Sequence, residues 1–283
     1  GAFSSGEPAK AVFARTDEAL AQAQGTPGKV WARLDDSAHS SINPVDWRAW
    51  IDDALKQSKL KLFFQPVSRC ADSGQVLHQK VLARLIDPQG EAIAAGQFLP
   101  WIERLNWSAR LDMAMLKNAI KHLSQHPQPL ALSLSGQTLR DAESQAELLQ
   151  VLRNNPRSDG LLTLELDERY LPSAAQLEQL SQSVRAAGYS LGLQHFGGNF
   201  GLIGNLTNLG LAYLKIDGSY IRALDQEADK RRFIEAIYRA TNSIDMPLIA
   251  EMVETEGELA VLKEIGIQGA MGRLIGAPAP WAE

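Results

Sequence analysis

From about residue 61 onward, short runs rich in Val, Leu and Ile alternate with longer amphipathic stretches of helical period, and Gly, Pro, Asn or Asp turn signals separate them. Strands are predicted at 61–67, 76–86, 129–135, 161–167, 189–195, 211–217, 247–251 and about 267–271. Helices are predicted at 97–105 with 108–124, then at 142–154, 174–187, 200–208, 227–243 and 256–265. Strands that alternate with helices make a parallel α/β fold, and roughly eight of them predict a TIM-like (β/α)8 barrel, with a doubly wound sheet as the alternative.

One predicted strand breaks the apolar pattern. In Lys80-Val81-Leu82-Ala83-Arg84 the two-residue period puts Lys80, Leu82 and Arg84 on one face. Two cations there need carboxylates, phosphate or solvent opposite them; an exposed edge strand is the bland alternative. Barrel chemistry collects at the C-terminal ends of strands. Those ends carry Gln65, Arg84, Ser133, Glu165, Gln194, His195, Lys215, Asp217, Glu251, Glu254 and Met271. Polar groups closing nearly every strand predict one functional mouth.

The first part of the chain reads differently. A helix over 8–24 meets the breaker Gly25-Thr26-Pro27-Gly28 and a short strand around Val30, too little to fold alone. A polar linker over 37–43 leads to a helix over 45–57 with Trp47, Trp50, Ile51 and Leu55 on one face, a packing stripe.

Composition narrows the function classes. The 283 residues are 45% hydrophobic with a formal net charge of -5, so bulk electrostatics do not favour DNA, RNA or an anionic membrane, and any anion site is local. One cysteine, Cys70, excludes an internal disulfide framework and a multi-cysteine zinc site and fits a reducing compartment. No apolar run reaches the length of a membrane span, and the abrupt start suggests a fragment of a longer chain.

Several ordered motifs resemble those of EAL domains. They are Phe64-Gln65-Pro66, the pattern over 80–84, Gln97-Phe98-Leu99-Pro100 with Glu103, Leu164-Glu165-Leu166-Asp167-Glu168, Leu214-Lys215-Ile216-Asp217, Ile249-Ala250-Glu251-Met252-Val253-Glu254-Thr255 and the closing Gly276-Ala277-Pro278. The resemblance implies a TIM-like barrel with an antiparallel first strand that binds cyclic di-GMP, which active members hydrolyse to the linear dinucleotide with two divalent ions. It implies nucleotide contacts from Gln65, Leu82, Arg84, Glu165, Lys215, Asp217, Glu251 and Glu254. Lys80 stands where the family has the glutamate of its name; Ser133, Gln194, His195 and Met271 stand at other metal or catalytic positions. Magnesium needs hard oxygen donors, so this reading expects no metal cofactor and no hydrolysis: a degenerate domain acting as a cyclic di-GMP receptor, with Lys80 paired to Glu165 or Glu251. The alternatives are a phosphodiesterase with an altered metal site and a scaffold without ligand. His195 is expected to be a hydrogen-bonded structural residue, and Glu168 and Phe200 mark a loop tied to dimerisation.

Upstream, Asp17-Glu18-Ala19-Leu20 and Gly28-Lys29-Val30 resemble the end of a GGDEF domain. The expected organisation is a GGDEF-like remnant over 1–36, a linker and helix over 37–58, and the EAL domain over 59–283. By the same resemblance, the chain is a cytoplasmic part of an inner-membrane, homodimeric receptor in biofilm adhesion signalling, working with upstream GGDEF and membrane segments.

Overall fold

The structure, a computed structural model, describes residues 44–56, 59–86, 90–157, 159–198 and 209–281. The proposed GGDEF remnant, the helix over 200–208 and Phe200 lie outside these residues. Two compact units divide the chain: residues 1–61 with 83–111, and residues 62–82 with 112–283.

Ten strands form one sheet: β1 (Leu60–Arg69), β2 (Val76–Ile86), β3 (Ala92–Ala94), β4 (Leu130–Ser133), β5 (Leu162–Asp167), β6 (Ser190–Phe196), β7 (Leu214–Ile216), β8 (Leu248–Ala250), β9 (Gly269–Ala270) and β10 (Ala279–Pro280). The order β10-β1-β9-β8-β7-β6-β5-β4-β2-β3, with a further β1–β2 pairing, closes eight of them into the barrel the sequence predicts. β1 runs antiparallel to β9 as expected, while β4 to β9 pair in parallel.

The helices follow their predicted stretches closely, as in Ala142–Asn154, Ala174–Ala186, Ala228–Asn242 and Glu256–Ile265. The last starts on a capping box, Thr255 with Glu258, worth about 1 kcal/mol, and ends where Gly266 takes φ 99. The sequence reading missed the short elements, among them the one-turn helices Gly136–Arg140 and Gly218–Ile221. They are too short for hydrophobic periodicity to register.

In the first unit the helix Pro44–Lys56 buries Trp47, Ile51 and Ala54, and Trp47 stacks on Trp101 with centroids 6.0 Å apart. Trp50 donates to the Ile86 carbonyl at 3.3 Å. Its tryptophans therefore pack, as the stripe predicted.

In the second unit β5 shows how sequence sets the site. Leu162, Leu164 and Leu166 are fully buried on one face, each contributing roughly 1.5–3 kcal/mol by burial, while Thr163, Glu165 and Asp167 alternate onto the other. The period of two thus points both carboxylates inward. On the same inner side Val67, Tyr213 and Ile249 pack with Met271 as a small floor.

Candidate functional site

Two polar clusters meet the barrel interior, both within the second unit. The first is centred on Glu165, which is fully buried. Its Oε1 accepts from the Lys215 ammonium at 2.5 Å and from the Tyr213 hydroxyl at 2.7 Å, and its Oε2 accepts from Lys80. The Lys80 ammonium also donates to Gln194 Oε1 at 2.9 Å and to the Ser133 hydroxyl. An ammonium has three N–H groups, and here all three have acceptors. Lys80 is 6% exposed on a strand paired on both sides, which removes the solvated-edge alternative.

Opposing effects set the charge of this cluster. Burial alone would raise the Glu165 carboxyl, but the Lys215 and Lys80 ammoniums outweigh it and hold the group well below the usual carboxylate range. Burial lowers Lys215 in turn, against the pull of Glu165. His78 stacks on Tyr213 with centroids 5.0 Å apart and planes 9° from parallel, and burial pushes its imidazole down to about 3. It is therefore neutral beneath the two lysines.

The second cluster is a chain running toward solvent. Arg169 grips Asp167 through two side-chain bonds of 2.9 and 2.5 Å, and Asp167 Oδ2 lies 2.8 Å from His195 Nδ1. Hydrogen bonds from Arg169 and His195 overcome the upward push of burial and hold Asp167 ionised. An ionised carboxylate can only accept, so Nδ1 carries a proton. The Asp167 bond, with Glu251 adding to it, raises the imidazole above its ordinary value. His195 Nε2 faces Glu251 Oε2 at 3.8 Å, beyond hydrogen-bond reach, and that oxygen is buried without a partner. Burial raises the Glu251 carboxyl.

Backbone irregularity explains how Gln194 and His195, neighbours on one strand, both serve the interior. The pairing of β6 with β7 shifts register between Leu193 and Phe196, and His195 takes φ 54. A bulge with a left-handed residue re-aims a side chain, and such strain in a non-glycine residue collects at functional sites. Met252, beside Glu251, shares the feature at φ 57.

Most sequence-derived positions therefore come together. Lys80, Ser133, Glu165, Gln194, Lys215 and Met271 form one contact network, with Met271 Sδ 3.6 Å from Lys215 Nζ. Gln65 donates to the Gly276 carbonyl at 3.0 Å, and Asp217 caps the next turn through Ser219 N–H at 2.8 Å. Glu254 is exposed, and Leu82 is half-buried. Glu168 accepts from the Gly197 and Gly198 N–H groups at 2.8 and 3.2 Å, holding the start of the loop assigned to it. Arg84 donates to the Ala83 carbonyl at 2.9 Å and belongs to the first unit.

His195 is hydrogen-bonded as expected, but its partner is Asp167, which the sequence reading did not single out. Tyr213, His78 and Arg169 were missed as well. A signal existed for three of the four: His78 lies two residues before Lys80, Asp167 two after Glu165, and Tyr213 two before Lys215, so strand period places each on its neighbour's face.

With this geometry in view, comparison with known proteins is decisive. The sequence profile of the EAL domain matches residues 48–278. The chain belongs to the EAL domain family.

Among its relatives is the cyclic di-GMP phosphodiesterase PdeB of Shewanella oneidensis, 28% identical over 248 residues that cover 85% of this chain and 29% of that protein. The probable cyclic di-GMP phosphodiesterase PdeA of Escherichia coli is 26% identical, covering 82% and 32%. This EAL chain thus spans about a third of the length of those relatives. The crystal structure of the FimX EAL domain from Pseudomonas aeruginosa bound to c-di-GMP matches with TM-score 0.71 and 25% identity over 83% of this chain and 96% of that one. A Vibrio cholerae LapD fragment with S helix, GGDEF and EAL parts, bound to c-di-GMP, matches with TM-score 0.80 at 22% identity, over 95% of this chain and 66% of that one, a likeness of fold.

These relatives correct two expectations. The sequence reading has no enzyme and no metal cofactor, whereas relatives covering more than four fifths of the chain are named phosphodiesterases, a class that works with divalent ions. The reading treated replaced donors as lost chemistry, although Glu165, Lys215 and Glu251 remain in the one mouth. The residues present do not fit a pair of hard ions. Both Glu165 oxygens are occupied by ammonium groups, and among the described residues no group of three or more His, Cys, Asp or Glu side chains is placed to hold a metal. Nor, among those residues, is any helix long and apolar enough to cross a membrane.

Proposed function

We propose that this EAL domain binds cyclic di-GMP in the barrel mouth and acts on it as a phosphodiesterase whose cation site has been rebuilt. The observation that carries the reading is the crowding of Lys80, Lys215, Glu165, Glu251 and His195 into one interior, in a chain whose relatives are named for this dinucleotide. Two guanines and two phosphates ask for carboxylate acceptors at base edges and cationic donors at phosphate oxygens. Asp217 and Glu254 supply acceptors at strand ends, and Gln65 supplies an amide. Lys215, buried beside Glu165, supplies positive charge toward phosphate oxygens.

Lys80 cannot be the phosphate clamp as it stands, because its three N–H groups are spent on Glu165, Gln194 and Ser133. Its role is to hold Glu165 ionised and in place. The reading is tested by calorimetric titration of cyclic di-GMP into the chain, with and without divalent ions, and chromatography of the recovered nucleotide. Saturable binding with the linear dinucleotide appearing only when a divalent ion is present is the expected result. Binding with intact ligand under every ion would remove the hydrolysis, and no binding to folded protein would remove the whole reading.

A further inference from the structure

The two ammoniums in the floor of the mouth are committed to Glu165, and Lys80 and Lys215 are only 6% and 0% exposed. They lend charge to a ligand above them, but Lys80 has no N–H group to spare. The rim adds carboxylates, the half-buried Asp217 and the exposed Glu254. A ligand with two phosphates therefore needs an exposed cationic donor there, and Arg169 is one. It follows β5 directly, in the single turn Glu168–Tyr170, at the strand end where a barrel's mouth opens. Its side chain is 62% exposed and nevertheless anchored. Nε and Nη2 donate to the two Asp167 oxygens at 2.9 and 2.5 Å. The guanidinium carbon lies 5.5 Å from the centre of the Tyr170 ring. Tyr170 is seated in turn on Gly136, where a Cβ would come 2.6 Å from the ring.

We infer that Arg169 is a phosphate-binding residue of this mouth: its outer edge donates from Nη1 to a non-bridging oxygen of the dinucleotide while its inner edge stays on Asp167. A guanidinium carries five N–H groups in a rigid fork, and among the described residues the two on Nη1 bond to nothing. The fork suits phosphate, and a side chain already fixed by a carboxylate and a ring gives up little further freedom on binding. Neutralising Asp167 does not by itself require this arrangement, because His195 also donates to that carboxylate. Asp217, two strands round the barrel, adds to the pull of Asp167 on the guanidinium, so both act at the same rim. The contact rests on the nucleotide binding proposed above. Because the cation belongs to the chain, binding through it needs no divalent ion.

The test is calorimetric titration of cyclic di-GMP into the whole chain in EDTA, with urea unfolding to verify that each variant is folded. Arg169→Gln and Arg169→Lys are compared with Arg153→Gln, which removes the same charge from the last turn of the helix Ala142–Asn154, at the opposite end of the barrel. Arg169→Gln should bind at least about tenfold more weakly. Arg169→Lys, which keeps the charge and loses the fork, should fall in between, and Arg153→Gln should stay within about twofold of the wild type. Phosphorus NMR at saturating ligand should show one of the two phosphates losing its binding shift in Arg169→Gln while the other keeps it. Undiminished affinity in Arg169→Gln, an equal loss in Arg153→Gln, or phosphorus shifts unchanged from the wild type would each overturn the assignment while leaving nucleotide binding intact. Failure of the folded wild type to bind would instead remove the function proposed above, and the Arg169 contact with it.

Discussion

The two halves of the mouth solve the problem of buried charge in opposite ways. Around Glu165 both carboxylate oxygens are matched: two ammoniums and a phenol donate to them, and an amide and a hydroxyl accept from the Lys80 ammonium, while only His78 Nε2 at the cluster's edge is left without a partner. Around His195 the chain of bonds from Arg169 through Asp167 stops short, leaving a ring nitrogen and a buried carboxylate oxygen 3.8 Å apart without a bond. A satisfied cluster stabilises the fold and gives it a single arrangement; an unsatisfied one stores the capacity to bind. The contrast separates residues that hold the barrel together from those held ready by it.

The largest effect should come from breaking the closed half. Lys80→Met removes one ammonium and leaves Glu165 buried with Lys215 and Tyr213 alone, so the urea unfolding midpoint should fall by the equivalent of about 3 kcal/mol. A loss below about 1 kcal/mol would mean that Lys80 is not the partner its geometry suggests.

Acid probes the same half through His78. Its folded value of about 3 lies below the ordinary 6.5, so between those limits the unfolded chain binds the extra proton and stability falls as pH drops. Asp112 acts in the opposite sense: burial raises it to about 6, and its contribution is lost as pH rises through that value. The difference between the wild type and His78→Phe isolates the histidine. Unfolding free energies measured from pH 6.5 to pH 4.5 should show the wild type losing about 2.3 kcal/mol relative to the variant, the slope steepening toward about 1.4 kcal/mol per pH unit at the acid end.

Smaller changes sharpen the contrast. Tyr213→Phe deletes one hydrogen bond to Glu165 and should cost about 1 kcal/mol in thermal or urea unfolding. Glu251→Gln, in the open half, should cost nothing and is expected to stabilise by up to about 1 kcal/mol, because it discharges a buried group whose Oε2 has no partner. If the two substitutions destabilised equally, the halves would not differ in the way described.

The barrel was legible because each of its eight strands carries an apolar run and the helices between them keep their period. Lys80 could be read too: a cation amid Val81, Leu85 and Ile86 needs an anion, and Glu165 was one of the two carboxylates named for it. What could not be read were contacts made across the barrel. Nothing local in Leu211-Ala212-Tyr213 announces that the Tyr213 hydroxyl will meet a carboxylate 48 positions away. The pairing of His195 with Asp167 was hidden for a second reason. A regular strand would turn Gln194 and His195 to opposite faces, and only the register shift and the left-handed φ at His195 bring both inward. Replaced donors misled the reading about activity because one-dimensional motif positions record which ligands changed, not which arrangement the remaining ones adopt.

The most direct measurement is a crystal structure of this EAL chain grown with cyclic di-GMP. The predicted result is the dinucleotide in the mouth with the Lys80 ammonium still on Glu165. Lys80 displaced from Glu165, or a mouth empty of nucleotide at saturating ligand, would contradict it.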